Sequence, residues 1–251
     1  MTQQKPLEGK VGLVTGASRG IGAAIARRLA SDGATVVISY NKSAEKATQV
    51  INDIKAGGGN GVAVQADHAN RADIEKLITT AVEQFGSIDI LVNNAAMFAV
   101  GAIDDPARDY DLFDQQLLIN VGSTAATVAL ASHHMNDGGR IITIGSISAQ
   151  LAPWPGRADF SASKAALVAY TKGWARDLGS RGINVTLVQP GPIATDMNPA
   201  DGPKAPERRA ITVKNRYGKP EEIAGAVAFL AGPDAEYITG AVLNVDGGFA
   251  L

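Results

Sequence analysis

A glycine-rich turn near the start of the chain has the residue types of a phosphate-binding site. Three glycines, Gly16, Gly20 and Gly22, lie between a strand predicted at residues 11–14 and a helical pattern. Glycines at such a turn let backbone amides at a helix N-terminus approach a pyrophosphate. The spacing differs from G-x-G-x-x-G, so a tight turn without a ligand is the alternative, but the flanking strand and helix favour phosphate. The residues expected to contact a dinucleotide here are Gly16, Ser18, Arg19, Gly20, Ile21 and Gly22.

The end of the second predicted strand indicates which dinucleotide binds. A site for NAD places an acidic residue there to bind the ribose 2′-hydroxyl, and this chain has Tyr40 instead. A 2′-phosphate requires positive charge and hydroxyl or amide donors, which Arg19, Asn41, Lys42 and Ser43 supply. Solvated surface cations are the alternative for Arg19 and Lys42. The missing carboxylate predicts NADP(H) and argues against a methyltransferase. A P-loop is excluded because no Gly-Lys-Ser/Thr follows the glycines.

The composition of the 251 residues excludes other kinds of site. There is no cysteine, and the three histidines, His68, His133 and His134, lack metal-binding spacing, so we expect no metal. The formal net charge is -2 without a long basic block, which argues against nucleic-acid and membrane partners. The first ten residues are polar, and no apolar run approaches a membrane-spanning length. We therefore expect a cytoplasmic protein with a small-molecule substrate.

Alternating strands and helices must position these residues. Helical patterns lie between short β-branched runs; residues 71–85 are one example, with Asn70 as N-cap and Gly86 as a stop. The alternation predicts a single α/β domain over residues 1–251, with a Rossmann-type doubly wound parallel sheet, helices on both faces, and ligands beyond the carboxyl ends of the strands. Segment 190–213 is expected to form a loop on the substrate side. The seven predicted strands are residues 11–14, 35–39, 62–65, 88–92, 140–144, 183–188 and 241–245.

Five separated segments should converge on one edge of this sheet, because Gly16, Asp67, Asn93, Ser146 and Pro190 each follow a predicted strand. The motifs at 15–22, 93–96 (Asn-Asn-Ala-Ala), 161–164 (Ser-Ala-Ser-Lys) and 190–191 (Pro-Gly), with Asn120 and Ser146, resemble those of the short-chain dehydrogenase/reductase family. The resemblance covers nearly the whole chain. Residues 216–224, 238–240 and 246–248 are further similar to its 3-oxoacyl-carrier-protein reductase branch.

The resemblance implies how the rest of the dinucleotide binds. Asp67 and His68 border the adenine in such a site, and Asn94 and Ala95 border the adjacent ribose. Strand-end caps and turns are the alternative roles for these residues. The implied contacts near the nicotinamide are Lys164, Pro190, Ile193 and Thr195.

The resemblance also implies hydride transfer between nicotinamide C4 and a carbonyl or alcohol carbon. In this family a serine positions the substrate oxygen, a tyrosine protonates it, and a lysine lowers the pKa of the tyrosine. Ser146 matches the serine, Lys164 the lysine, and Asn120 the asparagine that holds a proton-relay water. The alternatives are a plain strand-end hydroxyl at Ser146, with Ser148 a competitor, a solvent-directed lysine, and a helix kink at Asn120.

The catalytic tyrosine is the one departure. One helical turn before Lys164, where the family has tyrosine, this chain has Phe160, and Pro155-Gly156 fixes the register. Phenylalanine has no proton to give, and a positioned general acid is worth roughly 10²–10⁴-fold in rate. Three hypotheses follow: an engineered Tyr-to-Phe reductase with weak activity, a natural variant in which Ser146, a Lys164-bound water or Asp159 supplies the proton, and a non-enzymatic NADP(H)-binding sensor or subunit.

The sequence indicates the substrate class and the oligomeric state less clearly than the cofactor. Met97, Phe98, residues 150–154 and the loop 192–213 suggest a partly apolar pocket without a charged recognition group. Acyl thioesters, cyclic ketones and aryl ketones remain open. The resemblance implies a homotetramer that includes the apolar C-terminus, residues 249–251.

Overall fold

A parallel sheet of seven strands forms the centre of the protein in the computed structural model, which describes residues 5–251. Residues 1–4, part of the polar N-terminal segment, lie outside the described residues. The strands are β1 (Val11–Val14), β2 (Thr35–Tyr40), β3 (Asn60–Gln65), β4 (Ile88–Asn93), β5 (Met135–Ile144), β6 (Asn184–Pro190) and β7 (Val242–Val245). Their order is β3-β2-β1-β4-β5-β6-β7, so the order in which the chain adds strands to the sheet reverses between β1 and β4. Ligands of such sheets bind at this reversal, beyond the carboxyl ends of the strands.

Helices cover both faces of the sheet. Within the described residues they are α1 (Gly20–Ser31), α2 (Ala44–Ala56), α3 (Arg71–Phe85), α4 (Tyr110–Leu117), α5 (Thr124–Ser132), α6 (Ala158–Leu178), α7 (Ala205–Ile211) and α8 (Pro220–Ala231). A π-helical turn, Leu118–Ser123, joins α4 to α5. The predicted α/β doubly wound fold is therefore confirmed.

The strands are apolar on both sides because both faces are packed. Neighbouring residues of β1 belong to different cores: Val14 packs with α1, α2 and α8, whereas Leu13 packs with α3, α5 and α6. Parallel sheets buried on both faces typically have such continuous apolar strands. The result is a rigid platform whose strand ends hold the loops that form the site.

The predicted elements agree with the structure apart from their ends. Helix α3 has the predicted bounds; the Asn70 side chain accepts the N–H of Ala72 at 3.0 Å, and Gly86 ends the helix with φ 87. Half of the strand ends agree, and all but one of the others differ by one or two residues. The largest difference is β5, which begins at Met135 rather than at residue 140. Met135 pairs with Ile88 before a register shift, and the intervening polar residues conceal this pairing in the sequence.

Segment 190–213 is more regular than the predicted loop, because its second half forms α7. Pro206 lies in the first turn of α7, where proline is compatible with a helix. No helix among residues 5–251 combines the length and apolar character needed to cross a membrane. The same residues contain no cluster of three or more histidine, aspartate or glutamate side chains suited to a metal ion.

Candidate active site

A cavity of about 520 Å³ opens at the carboxyl ends of the strands, at the reversal between β1 and β4. Every residue predicted to contact the dinucleotide lines it. They are Gly16, Ser18, Arg19, Gly20, Ile21, Gly22, Tyr40, Asn41, Lys42, Ser43, Asp67, His68, Asn94, Ala95, Lys164, Pro190, Ile193 and Thr195. The five predicted strand ends thus converge on one cavity.

The glycine turn is shaped so that side chains would obstruct it. Gly16 has φ 63, in the left-handed region, and a Cβ there would lie 2.8 Å from the Cα of Ala95. A Cβ at Gly22 would lie 2.5 Å from Nδ2 of Asn94. Helix α1 begins at Gly20, and no side chain caps its first amides. The turn therefore presents bare backbone and the positive end of a helix dipole to the cavity, as a phosphate group requires.

Hydrogen bonds from the end of β4 lock the turn in place. The Asn94 side chain donates to the carbonyl oxygens of Thr15 and Gly16 at 2.9 and 3.0 Å. The Thr15 hydroxyl oxygen accepts the backbone N–H groups of Asn94 and Ala95 at 2.9 and 3.0 Å. Asn94 and Ala95 are thus structural supports of the turn as well as residues of the cavity wall.

Positive charge surrounds the end of β2, where the sequence predicts the 2′-phosphate. Arg19 is about half exposed, and its one ion pair within the described residues is a long contact of 3.8 Å with Asp196. Asp196 binds Lys46 more closely, at 2.9 Å, and this hydrogen bond lowers the pKa of the Asp196 carboxyl. Lys42 forms no ion pair within residues 5–251. Arg19 and Lys42 therefore remain available for an anion.

His68 is a buried link between three segments at the predicted adenine side. Its Nε2 lies 2.9 Å from the hydroxyl of Ser39, and its Nδ1 lies 3.3 Å from the hydroxyl of Ser123. The same Ser39 hydroxyl oxygen accepts the N–H of Gly16 at 2.9 Å, which joins His68 to the glycine turn. Burial lowers the pKa of His68 to about 4, so the ring is neutral at pH 7.

Lys164 and Ser146 lie at the opposite end of the cavity. The Lys164 side chain is almost fully buried; its Nζ donates to the carbonyl oxygen of Ile144 at 3.0 Å, and burial lowers its pKa to about 8. The Ser146 hydroxyl oxygen accepts the N–H of Ser148 at 3.1 Å. That contact uses an oxygen lone pair and leaves the hydroxyl proton free to bind a substrate oxygen.

Phe160 occupies the cavity wall between these groups and the apolar substrate end. Its ring centroid lies 5.9 Å from Nζ of Lys164 and 4.8 Å from the centroid of Phe98, edge to face. Asp159, considered as a substitute acid, binds Arg108 at 2.8 Å and does not line the cavity. The structure therefore does not support Asp159 as the proton source.

Asn120 lies behind the cavity wall and not on it, unlike the other predicted catalytic residues. Its side chain is fully buried; Nδ2 donates to the carbonyl oxygen of Met97 at 3.0 Å and to the Ser163 hydroxyl at 3.1 Å. Its Oδ1 accepts the N–H of Met97 at 2.8 Å. The Asn120 amide thus joins the Met97 backbone to the Ser163 hydroxyl and supports the cavity wall, while its role in proton relay stays a prediction.

Two arginines at the substrate end correct the expectation of a pocket without charged groups. Arg157 and Arg208 both line the cavity, and their guanidinium carbons lie 4.3 and 5.7 Å from the ring centroid of Trp154. Arg157 immediately precedes α6, and Arg208 lies on α7. Arg208 lies within the predicted substrate-side loop, but its pairing with Arg157 has no sequence signal, because the two residues meet only through the tertiary fold. Asp196 and Asn198, within the predicted substrate-side loop, also line the cavity, as does Phe249, for which the sequence implied only a subunit contact.

A comparison with protein families matches residues 16–250 to a family described as enoyl-(acyl carrier protein) reductase. A solved short-chain dehydrogenase/reductase from Serratia marcescens is 50% identical with a TM-score of 0.96, over 98% of this chain and 100% of that one. A blue fluorescent protein from a metagenomic library, solved in complex with NADPH, is 47% identical with a TM-score of 0.95, over 98% and 100% of the two chains.

Two relatives have been given different functions. A 3-oxoacyl-[acyl-carrier-protein] reductase from Synechocystis is 42% identical over 250 residues, which are 98% of each chain. A cyclic-di-GMP-binding biofilm dispersal mediator protein from Escherichia coli is 41% identical over 242 residues, 96% of this chain and 97% of that one. The similarity therefore extends to an enzyme and to a ligand-binding mediator.

Proposed function

Because the chain belongs to the short-chain dehydrogenase/reductase family, we propose that it is an NADP(H)-dependent oxidoreductase acting on a carbonyl or alcohol substrate. The observation that carries the proposal is a single cavity with a phosphate-binding turn at one end and Ser146 and Lys164 at the other. We further propose that Phe160 makes its turnover slow.

The cofactor end fits a dinucleotide phosphate. Gly16 and Gly22 leave a cradle that a Cβ would fill, and α1 directs uncapped amides into it. Arg19 and Lys42 supply the charge for a 2′-phosphate, and Tyr40 stands at the end of β2 where a carboxylate would repel it. NADP(H), when bound, supplies or accepts a hydride at nicotinamide C4.

Ser146 positions the substrate oxygen in this proposal, and Lys164 stabilises negative charge on it. The free hydroxyl proton of Ser146 donates to the carbonyl oxygen, which fixes the carbonyl carbon for hydride transfer. Lys164 keeps two N–H groups beyond the one bound to Ile144, and with a pKa of about 8 it is mostly charged at pH 7. A fixed positive charge in a buried site stabilises a developing alkoxide.

Phe160 limits the proton transfer that must follow. Its ring lines the cavity one helical turn before Lys164, with its centroid 5.9 Å from the Lys164 Nζ, and it carries no hydroxyl. The alkoxide must then take its proton from Ser146 or from water, and neither is held as a dedicated acid. The site can therefore transfer a hydride but lacks the usual 10²–10⁴-fold contribution of a positioned general acid, by order of magnitude.

The test is formation of alcohol from a panel of acyl thioesters, cyclic ketones and aryl ketones with NADPH, with one alcohol formed for each NADPH oxidised. Ser146→Ala should lower kcat by roughly 10²-fold, since it removes a donor to the reacting oxygen. Ser148→Ala, a second serine on the same cavity wall, is the matched control and should retain most activity. A larger loss from Ser148→Ala, or tighter binding of NADH than NADPH, would refute these assignments.

A non-enzymatic NADP(H)-binding protein is the second candidate, and the lack of a proton donor at Phe160 favours it. The 41% identical relative described as a cyclic-di-GMP-binding mediator makes that nucleotide the ligand to try. Calorimetry with and without NADPH tests this. Cyclic-di-GMP binding by a protein that turns over none of the panel would support the second candidate. Turnover of the panel without cyclic-di-GMP binding would reject it.

We also propose a homotetramer, as the family resemblance implies. Large apolar side chains remain exposed along the α4–α6 region, namely Leu117, Leu118 and Tyr170, and at the C-terminal residue Leu251. Exposed apolar surface of this kind is typical of subunit contacts. Light scattering after size-exclusion chromatography should give four times the chain mass; a monomer would refute the proposal.

A further inference from the structure

Two guanidinium groups meet at the substrate end of the cavity from different parts of the chain. Arg157 precedes α6, and Arg208 lies on α7. Both lie against the Trp154 ring, with guanidinium carbons 4.3 and 5.7 Å from its centroid. Arg157 also lies 5.3 Å from the ring centroid of Phe98. Aromatic rings therefore hold both cations in place.

Contact with a ring leaves the hydrogen-bonding edges of a guanidinium free. Within the described residues, the Arg157 side chain forms neither a hydrogen bond nor an ion pair, although it is only partly exposed. The Arg208 side chain donates to Oδ1 of Asn198, and this is its one side-chain hydrogen bond in the same residues. Most of the N–H donors of the two arginines are thus available to a ligand.

The carboxylates near the two arginines do not neutralise them. Glu207 is the closest in sequence, and it accepts the indole N–H of Trp154. Burial, and then the proximity of Arg208, lower the pKa of Arg157, while Glu207 acts in the opposite direction. Two like charges without bound counter-charges create a local excess of positive charge.

The acidic residues of the cavity wall lie elsewhere. Asp67 follows β3 at the adenine side, and Asp196 is bound by Lys46 near the predicted 2′-phosphate. The dinucleotide phosphates have their own partners there, Arg19 and Lys42. The arginines at the substrate end are therefore not needed for the cofactor.

Phe98 connects this positive region to the reacting groups. Its ring contacts Phe160 on one side, with centroids 4.8 Å apart, and Arg157 on the other. A substrate whose carbonyl lies beside Ser146 and Lys164 can therefore extend along Phe98 and place a distal group between the guanidiniums. The walls along this path are aromatic, so an apolar body fits between the two ends.

We propose that Arg157 and Arg208 together bind an oxyanion, a carboxylate or a phosphate, on the distal end of the carbonyl substrate. The proposal deepens the proposed function, because it assigns an anionic substrate class to the same cavity. Guanidinium groups bind both oxyanions through paired N–H donors, so the two share one recognition chemistry. Arg157 and Arg208 are specificity-determining residues here and take no part in hydride or proton transfer.

Binding to the NADP⁺-loaded protein tests the proposal without requiring turnover. Three aryl ketones are compared by calorimetry: para-acetylbenzoate, its neutral methyl ester, and para-acetylphenyl phosphate. An oxyanion should bind roughly 10-fold or more tightly than the ester, the size expected for charge-assisted hydrogen bonds. Arg157→Gln and Arg208→Gln should each remove most of this preference and leave the affinity of the ester nearly unchanged.

Arg209→Gln is the matched control. Arg209 lies beside Arg208 on α7 but donates to the carbonyl oxygen of Ala200 and does not line the cavity. It should keep the preference for the oxyanion. Raising the ionic strength should weaken binding of the two anions but not of the ester.

The outcomes separate this proposal from the proposed function. A preference for the carboxylate or the phosphate that depends on Arg157 and not on Arg209 supports the anion site. The anion that binds more tightly identifies the group on the substrate. Equal affinities for ester and anions, or equal losses for all three ligands in Arg157→Gln, would overturn it. Absence of turnover, with NADP⁺ binding and the oxyanion preference intact, would instead count against the proposed function alone, since the titrations of the NADP⁺-loaded protein do not require turnover.

Discussion

The cofactor end and the substrate end of the cavity are built differently. The cofactor end is made of backbone: a left-handed Gly16, uncapped amides of α1, and the Asn94 amide that holds the turn. The substrate end is made of side chains from separate segments, such as Phe98, Phe160 and Arg208. Backbone geometry tolerates few substitutions, whereas side chains can change without altering the fold. In the proposed function, this difference lets the cofactor end hold a hydride donor while the substrate end lacks a proton donor.

Lys164 lies at the junction of the two ends, and its loss should have the largest effect. Lys164→Met keeps the buried stem but removes the charge and the hydrogen bond to Ile144. We expect product formation to fall roughly 10²–10³-fold. Steady-state kinetics with NADPH measures this, and Lys172→Met, on an exposed face of the same helix, is the control. Equal activity of both variants would contradict the assigned role of Lys164.

Adding a Cβ to the glycine turn should disable only the cofactor end. Gly16→Ala introduces a methyl group 2.8 Å from the Cα of Ala95 at a positive φ. We expect NADPH to bind roughly 100-fold more weakly, a loss of about 3 kcal/mol. Gly58→Ala is the control, because it has the same backbone strain but no neighbour within 4 Å. If both variants bind NADPH equally well, the turn does not hold the phosphates.

His68 should make the cofactor end sensitive to acid. Its pKa is about 4 in the folded protein, against about 6.5 when unfolded, so the unfolded state binds more protons between these values. The stability contributed by neutral His68 is complete above about pH 6.5 and is lost as the pH falls towards 4. We expect the free energy of unfolding to be about 2 kcal/mol lower at pH 5 than at pH 7.

Urea unfolding at pH 7 and pH 5 measures this loss. His68→Gln should be less stable than the original chain at pH 7 but should show a smaller decrease at pH 5. His133→Gln, at an exposed position, should retain the full decrease. An unchanged decrease in His68→Gln would show that another group is responsible.

Lys42 should have the smallest of these effects, limited to the choice of dinucleotide. Lys42→Gln removes one cation from the predicted 2′-phosphate site, and we expect NADPH affinity to fall roughly 10-fold with NADH affinity unchanged. Lys46→Gln is the control, since Lys46 binds Asp196 and does not line the cavity. Parallel losses for NADPH and NADH would place the 2′-phosphate elsewhere. Fluorescence titration with both nucleotides measures the two affinities.

The sequence predicts the cofactor end well and the substrate end poorly, for a physical reason. Glycines, strand ends and caps act locally, so residues 15–22, 40–43 and the bounds of α3 can be inferred from neighbours in the sequence. The cofactor class inferred from Tyr40 agrees with the NADPH in a solved relative. The Trp154, Arg157 and Arg208 cluster depends on how the β5–α6 segment meets α7, which no local pattern encodes.

Asn120 illustrates the limit of a motif. The resemblance implies a proton-relay asparagine in the middle of a helix, with a helix kink as the alternative, and the structure has a π-helical turn at Asn120. Its side chain, however, contacts Met97 and Ser163 rather than the cavity. The motif identifies the position, but the direction of the amide depends on the turn geometry and on the packing of α6.

The most direct test of the account is the rate of carbonyl reduction by Phe160→Tyr with saturating NADPH. A tyrosine here places its hydroxyl near Lys164 and should raise kcat roughly 10²–10⁴-fold without changing NADPH affinity. Phe98→Tyr adds a hydroxyl to the adjacent ring of the same wall and should give no comparable gain. An unchanged kcat in Phe160→Tyr, with NADPH still bound, would contradict the claim that this end of the cavity lacks only its proton donor.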